Sequence, residues 1–353
     1  MILVLNAGSS SLKVEVFDLA LTSVVSGSVT NIGTDGVLRL GENRTECITT
    51  DHANALAKML EALANQDITL NTLTAAAHRV VHGGTILTQP AEITDHVIKA
   101  IESCIPLAPL HNPNNLAAIL ALREKAPELP QYCSFGTAFH ASNPDVATRY
   151  AIPQTQHDAG IRRYGFHGLS YANMVAEFGE KAPHRLLAFH LGNGASLCAI
   201  KDRKSIATSM GYSPLSGLTM GTRSGDIDGA AVLRISDAVG EDEADRLLNK
   251  NSGLKALAGD NNMKTLLDRD DDAAKFAVDH FCYWAARHAG SAIVAMGGVD
   301  AVAFTGGIGE NAPLIRDKIM EHLACFGQPE VHVIAADEEK AIARDALSLM
   351  AAC

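Results

Sequence analysis

Apolar and polar positions alternate at the start of the chain in a way that predicts a strand pair. The run Ile2–Asn6 (ILVLN) is apolar until its last residue, and Leu12–Asp18 (LKVEVFD) returns with period-two alternation. The residues between them, AGSSS, are small and turn-forming. The same arrangement recurs in LLAFHLGNGASLCAIKD, Leu186 to Asp202. In each copy the apolar run ends at a polar residue (Asn6, His190), and a glycine follows two positions later (Gly8, Gly192). Such turns present backbone N–H groups with no side chain in the way, which suits them to phosphate oxygens. Two copies predict duplicated domains facing each other across a phosphate-binding cleft.

The rest of the pattern extends this picture. Ser23–Thr30 and Val37–Leu40 read as further strands, and Asp51–Ala64 as a helix with Leu56, Met59, Leu60 and Leu63 on one face. Ala75–Val81 is an apolar strand that stops at His82-Gly83-Gly84, and helical spacing returns at Asp95–Cys104 and Asn114–Lys125. After the second hairpin come helices at Gly229–Val239, Glu241–Leu248 and Ala273–Met296, then a buried strand Ala301–Thr305. A glycine-rich turn, a helix from about Ala312 and a last helix at Asp337–Met350 follow. The expected class is α/β, helices on mixed sheets in two similar halves. The chain crosses from one half to the other near Phe139–Tyr150, and its last helix folds back onto the first.

With 353 residues, 47% hydrophobic and 20% charged, the chain has material for two cores. Its net charge of −11 argues against a nucleic-acid partner and requires any bound phosphate to be held by local donors or metal ions. Seven cysteines (Cys47, Cys104, Cys133, Cys198, Cys282, Cys325, Cys353) are scattered and never spaced C-x-x-C, which reads as reduced thiols in a cytoplasm. The apolar helix Ala273–Met296 carries Lys275, Asp279, His280, Arg287 and His288, so it reads as a buried helix and not a membrane span.

Candidate chemistry is concentrated in a few runs. SPLSGLTMGTRSGDID (Ser213 to Asp228) sets Arg223 among small residues, where a guanidinium fork can face a phosphoryl group. The alternative is an exposed arginine in a surface turn with a helix-capping aspartate. Arg79 lies inside an apolar stretch and needs an anionic partner, structural or bound. His82, His111, His167 and His190 all sit in Gly- or Pro-punctuated contexts. TGGIGEN (Thr305 to Asn311) follows a strand, which fits a nucleotide as well as a plain connection. G-x-G-x-x-G and G-x-x-x-x-G-K-[ST] are both absent, removing the dinucleotide and Walker-type readings.

Jointly, NAGSSSLK, HRVVHGG, PLAPLHNP, GFHGLSY, HLGNGAS, MGTRSGDID and TGGIGEN resemble the acetate kinase family, in that order from Ile2 to about Asp345. The resemblance implies two ribonuclease H-like domains of the actin, hexokinase and heat-shock ATPase superfamily, flanking a nucleotide cleft. It places an N-terminal domain at 1–140 plus 338–353 and a nucleotide-binding and dimerisation domain at 141–337. It implies reversible phosphoryl transfer from ATP, as co-substrate, to acetate or propionate, giving acyl phosphate and ADP. It also implies Mg²⁺ (with Mn²⁺ as a substitute) and a homodimer, to which the charge, cysteine and helix readings add a cytoplasmic location without nucleic-acid or membrane partners. Asn6 and Glu338 would hold the metal. Arg79, His167 and Arg223 would be catalytic, with Arg79, Val81, Leu110, Phe166 and Pro214 around the carboxylate substrate. Lys13, His190, Leu191, Gly192, Asn193, Gly194, Asn262, Lys264, Gly307, Ile308, Gly309, Glu310 and Asn311 would contact the nucleotide.

Three departures accompany the resemblance. Where the family has Phe-Asp-Thr-Ala-Phe-His, this chain has FGTAFH, so Gly136 occupies the position of the catalytic aspartate. The family's Asp-x-Arg pair near the nucleotide becomes Asn262 and Lys264, and lysine lacks arginine's planar stacking. The chain is also shorter than its relatives, with a compressed stretch before the last helix. Three expectations follow: an acetate or propionate kinase, its rate reduced at Gly136; a nucleotide-binding family member of weak or no turnover with a regulatory or structural role; or a kinase of an altered substrate whose own group fills the space at Gly136.

Overall fold

The structure, a computed structural model, describes residues 1–352. It divides into two compact units, Met1–Ala138 together with Asp337 onward, and Phe139–Ala336. The sequence reading drew these boundaries at 140/141 and 337/338.

The first unit opens with five consecutive antiparallel strands, β1 (Ile2–Ala7), β2 (Ser11–Phe17), β3 (Ser23–Thr30), β4 (Asp35–Leu40) and β5 (Asn43–Ile48). Helix α1 (His52–Ala64) follows, capped by the Asp51 carboxylate, which accepts from the Asn54 N–H. Its Leu56, Met59 and Leu63 join Leu3, Leu5, Leu12 and Val14 in one core, each such side chain contributing ~1.5–3 kcal/mol by burial. Then come β6 (Ala75–Val80), the short β7 (Ala91–Glu92), α2 (Asp95–Ser103), α3 (Asn112–Lys125) and β8 (Gln131–Phe135). The sheet order is β5-β4-β3-β2-β1-β6-β8-β7, with β6 parallel to both β1 and β8. The C-terminal helix (Glu338–Met350) packs on β1, β6 and β8.

The second unit begins with α4 (Asp145–Thr148), α5 (Gln154–Asp158) and α6 (Gly168–Phe178), then the strands β9 (Arg185–Leu191), β10 (Ala195–Lys201) and β11 (Lys204–Thr208). Helices α7 (Gly229–Val239), α8 (Glu241–Lys250), α9 (Gly253–Ala258), α10 (Met263–Leu267) and α11 (Asp272–Met296) come next. The chain closes the unit with β12 (Ala301–Thr305), α12 (Gly306–Asn311), α13 (Pro313–His322) and β13 (Glu330–Val333). Small buried residues on α11 (Ala277, Ala285, Ala289, Ala292) let that helix lie close against β10.

The sheet order here is β11-β10-β9-β12-β13, antiparallel across the first three strands and parallel across the last three. In the first unit β3-β2-β1-β6-β8 has the same order and the same senses. The repeated hairpin is therefore the leading edge of a repeated five-stranded unit. One expectation needs correcting. TGGIGEN is not a turn ahead of a helix, because Gly306–Asn311 is itself a short helix with its own break at Ala312 before α13.

Candidate active site

In the first unit, the β1–β2 register sets Asn6 opposite Lys13 at the mouth of the hairpin. The turn is closed by Gly8 N–H donating to Ser11 O at 2.7 Å, and the His52 ring bonds Gly8 O at 2.7 Å. Lys13 is exposed on β2. Arg79 stands near the end of β6, where its Nε donates to Glu338 Oε2 at 3.0 Å. That is the anionic partner its apolar setting requires. Only Nε takes part in that ion pair.

Glu338, expected at a metal, is thus engaged by Arg79, and the carboxylate beside Asn6 is its neighbour Glu339, accepting from Asn6 Nδ2 at 3.0 Å. Carboxylate oxygens of Glu15, Asp337 and Glu339 lie within 4.8 Å of one another. Burial, and then repulsion from Asp337 and Glu339, push the Glu15 carboxyl above its ordinary range, while Ser23 lowers it. An all-oxygen donor set of this charge fits a hard divalent cation such as Mg²⁺. Sequence reasoning missed Glu15, Asp337 and Glu339. A cluster drawn from both ends of a chain leaves no local spacing to read.

The segment after β6 is held from α3. Asn115 Oδ1 accepts from Val81 N–H at 3.0 Å while its Nδ2 donates to Ala7 O at 2.7 Å. Asn112 accepts from His82 N–H and donates to His82 O. Burial drives the His82 ring down to about 4, so it is neutral, and its Nδ1 accepts the Gly84 N–H at 2.9 Å. Val81 is buried, whereas Leu110, just before α3, is 59% exposed. Gly136 follows β8, donating its N–H to Val80 O at 2.9 Å, and a Cβ on it would sit 2.8 Å from Val81 O.

In the second unit, the β9–β10 turn is the counterpart of the first hairpin, with Gly192 N–H donating to Gly194 O at 3.0 Å. Leu191 is wholly buried in the sheet, so only its backbone is available to a nucleotide. Asn193 O accepts from Gly221 N–H, and a Cβ on Gly221 would fall 2.0 Å from Asn193 Oδ1, so a side chain there would displace the Asn193 amide. His190 and His167 stack with ring centroids 4.1 Å apart. His167 has left-handed backbone (φ 58) at the head of α6, and its Nδ1 lies 2.8 Å from Ser196 Oγ. His140, neutral because burial takes it down to about 4, bonds Phe166 O with one nitrogen and Ser205 Oγ with the other. Phe166 is thereby fixed and buried.

Arg223 is largely buried, its Nη1 donating to Pro214 O at 3.2 Å, and burial lowers its still very high pKa. Among the described residues no carboxylate pairs with it. A desolvated guanidinium without a counter-ion is a receptor for an anion. The nearby aspartates do not hold it: Asp226 accepts from Gly217 N–H, and Asp228 caps α7. Nη1 of Arg223 and Nε2 of His167 both lie 3.4 Å from where a Cβ on Gly194 would be. Two donors therefore converge on the glycine turn.

The expected base-side residues are on the surface of this unit. Asn262 caps α10, accepting from Lys264 N–H at 3.0 Å, and Lys264 is exposed. In α12, Glu310 Oε1 accepts from Gly306 N–H and Ala336 N–H, and Asn311 Nδ2 donates to Gly307 O. The Glu310 and Asn311 side chains thus brace the loop. Gly307 has open space where a side chain would be, and Ile308 and Gly309 complete the turn behind it.

A duplicated β-β-β-α/β unit with a glycine turn in each copy is the actin-like and hexokinase-like fold, and the structures that share it at 33–36% identity are acetate and propionate kinases. A model of the acetokinase family matches residues 1–348, and the chain belongs to that family. An acetate kinase of Chloroherpeton thalassium is 39% identical, covering 98% of this chain and 97% of its own. That match runs over 406 aligned positions against 353 residues here, so the relative carries internal insertions. A propionate kinase structure from Francisella tularensis superimposes with a TM-score of 0.91 at 36% identity, covering 98% of both chains. An acetate kinase structure from Porphyromonas gingivalis gives 0.92 at 33%, covering 99% of both.

Proposed function

We propose that the chain transfers the γ-phosphoryl group of ATP to acetate or propionate, reversibly, giving acyl phosphate and ADP. The observation that carries this is the acetokinase match along residues 1–348, with relatives of that activity near 40% identity. The acceptor carboxylate is ionised at neutral pH and attacks without a general base. Catalysis reduces to aligning two anions and neutralising charge on the transferring group. In this reading Arg79 uses its Nη pair on the acceptor, while Arg223 and His167 donate to the phosphoryl oxygens. Val81, Leu110, Phe166 and Pro214 contact the acyl chain. Lys13, the 190–194 turn, Asn262, Lys264 and residues 307–311 serve the nucleotide. Mg²⁺, when bound, screens the phosphate charge; Asn6 and Glu338 are the assigned holders, with Glu339 at hand beside Asn6.

Gly136 favours a second reading, a nucleotide-binding member with little turnover, because a hydrogen atom replaces the carboxylate at that position. An acyl phosphate assay with acetate, propionate and butyrate, run beside ATP-binding calorimetry, separates the two. Turnover supports the kinase; ATP binding with no acyl phosphate supports the second reading.

We further propose a homodimer, supported by α7, where Leu233 and Val239 are exposed and no residue is buried. A second copy is the occupant that the family resemblance supplies. Among the described residues no helix is long and apolar enough to cross a membrane. With Cys47, Cys104, Cys133, Cys198, Cys282 and Cys325 all unpaired, a reducing cytoplasm is the proposed location; Cys353 lies outside the described residues.

A further inference from the structure

One buried polar chain behind His167 is not used by the mechanism above. Tyr171 and Ser196 are both wholly buried. Tyr171 Oη lies 2.5 Å from Ser196 Oγ, and Ser196 Oγ lies 2.8 Å from His167 Nδ1. Proton counting sets the direction of this chain. Burial holds Tyr171 as a phenol, far above its ordinary range, so it has one proton to donate. The His190 backbone N–H is directed at the same phenolic oxygen, which makes that oxygen an acceptor there and Ser196 Oγ the receiver of its proton. Ser196, having accepted from Tyr171, has a single proton left to give, and Nδ1 is within reach. A ring protonated on Nδ1 would donate to Ser196 Oγ and leave either the Tyr171 O–H or the Ser196 O–H without an acceptor in the core, at a cost of ~1–3 kcal/mol.

Nδ1 as acceptor leaves the ring proton on Nε2, the nitrogen nearest the Gly194 position, on the same side as Arg223 Nη1. The ring plane is held as well. His190 stacks on it, and His190 Nδ1 is itself bonded by Ser170 Oγ at 2.8 Å. The titratable and charged groups facing His167 are His190 from β9, Tyr171 from α6, and Arg223.

We propose that Tyr171 and Ser196 are positioning residues that hold neutral His167 with its proton on Nε2, so that it offers a donor to a phosphoryl oxygen without becoming imidazolium. The purpose of that donor rests on the acetate kinase reading; the tautomer does not. The deciding experiment is NMR of the protein with ¹⁵N-labelled histidine, correlating ring protons with ring nitrogens. We expect unprotonated Nδ1 and protonated Nε2 in the wild type, and kcat that stays level as pH rises through the imidazole range, about 6–7. In Ser196→Ala the tautomer preference is lost and kcat falls roughly 10-fold at neutral pH, less than the 10²–10³ typical of deleting a donor outright. KM for ATP is unchanged. The residual rate then gains a contribution from imidazolium, which always carries a proton on Nε2, so it declines further with rising pH. Tyr171→Phe frees the Ser196 oxygen to accept from Nδ1 and moves the spectrum the same way. A wild-type ring protonated on Nδ1 overturns the proposal, and so does Ser196→Ala with the wild-type tautomer and pH profile. The wild-type spectrum decides even where a variant does not fold. A wild type that makes no acyl phosphate would count against the kinase reading while leaving the ring spectrum as the test of the tautomer.

Discussion

The carbonyl oxygen of Val81 stands 2.8 Å from the point where any side chain on Gly136 would begin. The expected gain from placing an aspartate at position 136 therefore meets a steric cost that the sequence alone does not display. Gly136→Ala and Gly136→Asp must both push the β8 exit away from the segment after β6, which is expected to destabilise by ~1–3 kcal/mol in urea titrations. Only Gly136→Asp is expected to raise kcat, by up to ~10², because only it adds a charge-organising group. Equal rates in the two variants would remove Gly136 as the weak point of the site. A related limit applies to Glu338 and Glu339. Neighbours on a helix point about 100° apart, and motif position does not tell which of them meets Asn6 and which meets Arg79.

At the scale of elements, α3 does more than cover the sheet. Asn115 joins the ends of β1 and β6 by bonding Ala7 O and Val81 N–H, two residues from Arg79. Asn115→Ala strands two buried backbone groups, so a loss of ~2–4 kcal/mol in unfolding free energy is expected together with a raised KM for the carboxylate. A variant as stable as the parent would show that the two bonds are replaceable. The helix itself was legible from its spacing, but its asparagines were not, because polar residues at a helix start read first as caps. Strand β8 escaped reading for the opposite reason: QYCSF lacks both alternation and β-branched residues, and all five positions are buried in a strand lying between parallel β6 and antiparallel β7. Helix α7 was legible as a helix, and its apolar Leu233 and Val239 stay exposed. Leu233→Glu is expected to convert a dimer to monomer in light scattering with little change in thermal stability of the monomer. A monomeric parent would defeat the dimer proposal.

At the scale of the whole chain, the duplication was readable because each hairpin couples strand periodicity to a glycine turn, two local signals that coincide only twice. The matching strand orders beyond them depend on long-range pairing, which no window of sequence contains. Both units also bury neutral histidines, and this gives the molecule a common acid response. His78 and His82 in the first unit and His140 in the second are each held at about 4 by burial, against about 6.5 in an unfolded chain. Between those values the unfolded state binds more protons than the native state, so stability is full above the unfolded pKa and falls as pH drops from about 6.5 towards 4. The loss reaches on the order of 3 kcal/mol per histidine at the acid end. Asp345, whose carboxyl burial raises despite a bond from Ser134, works the other way and regains stability as it protonates. Three rings at about 4 against the raised carboxyls of Asp345 and Glu15 leave a net loss. Denaturant midpoints measured from pH 7 to 4.5 should therefore fall steadily, and the fall should shrink in His140→Gln, which cannot take up the proton. A flat profile would mean that these rings titrate normally, and that the native packing around them opens to water in mild acid.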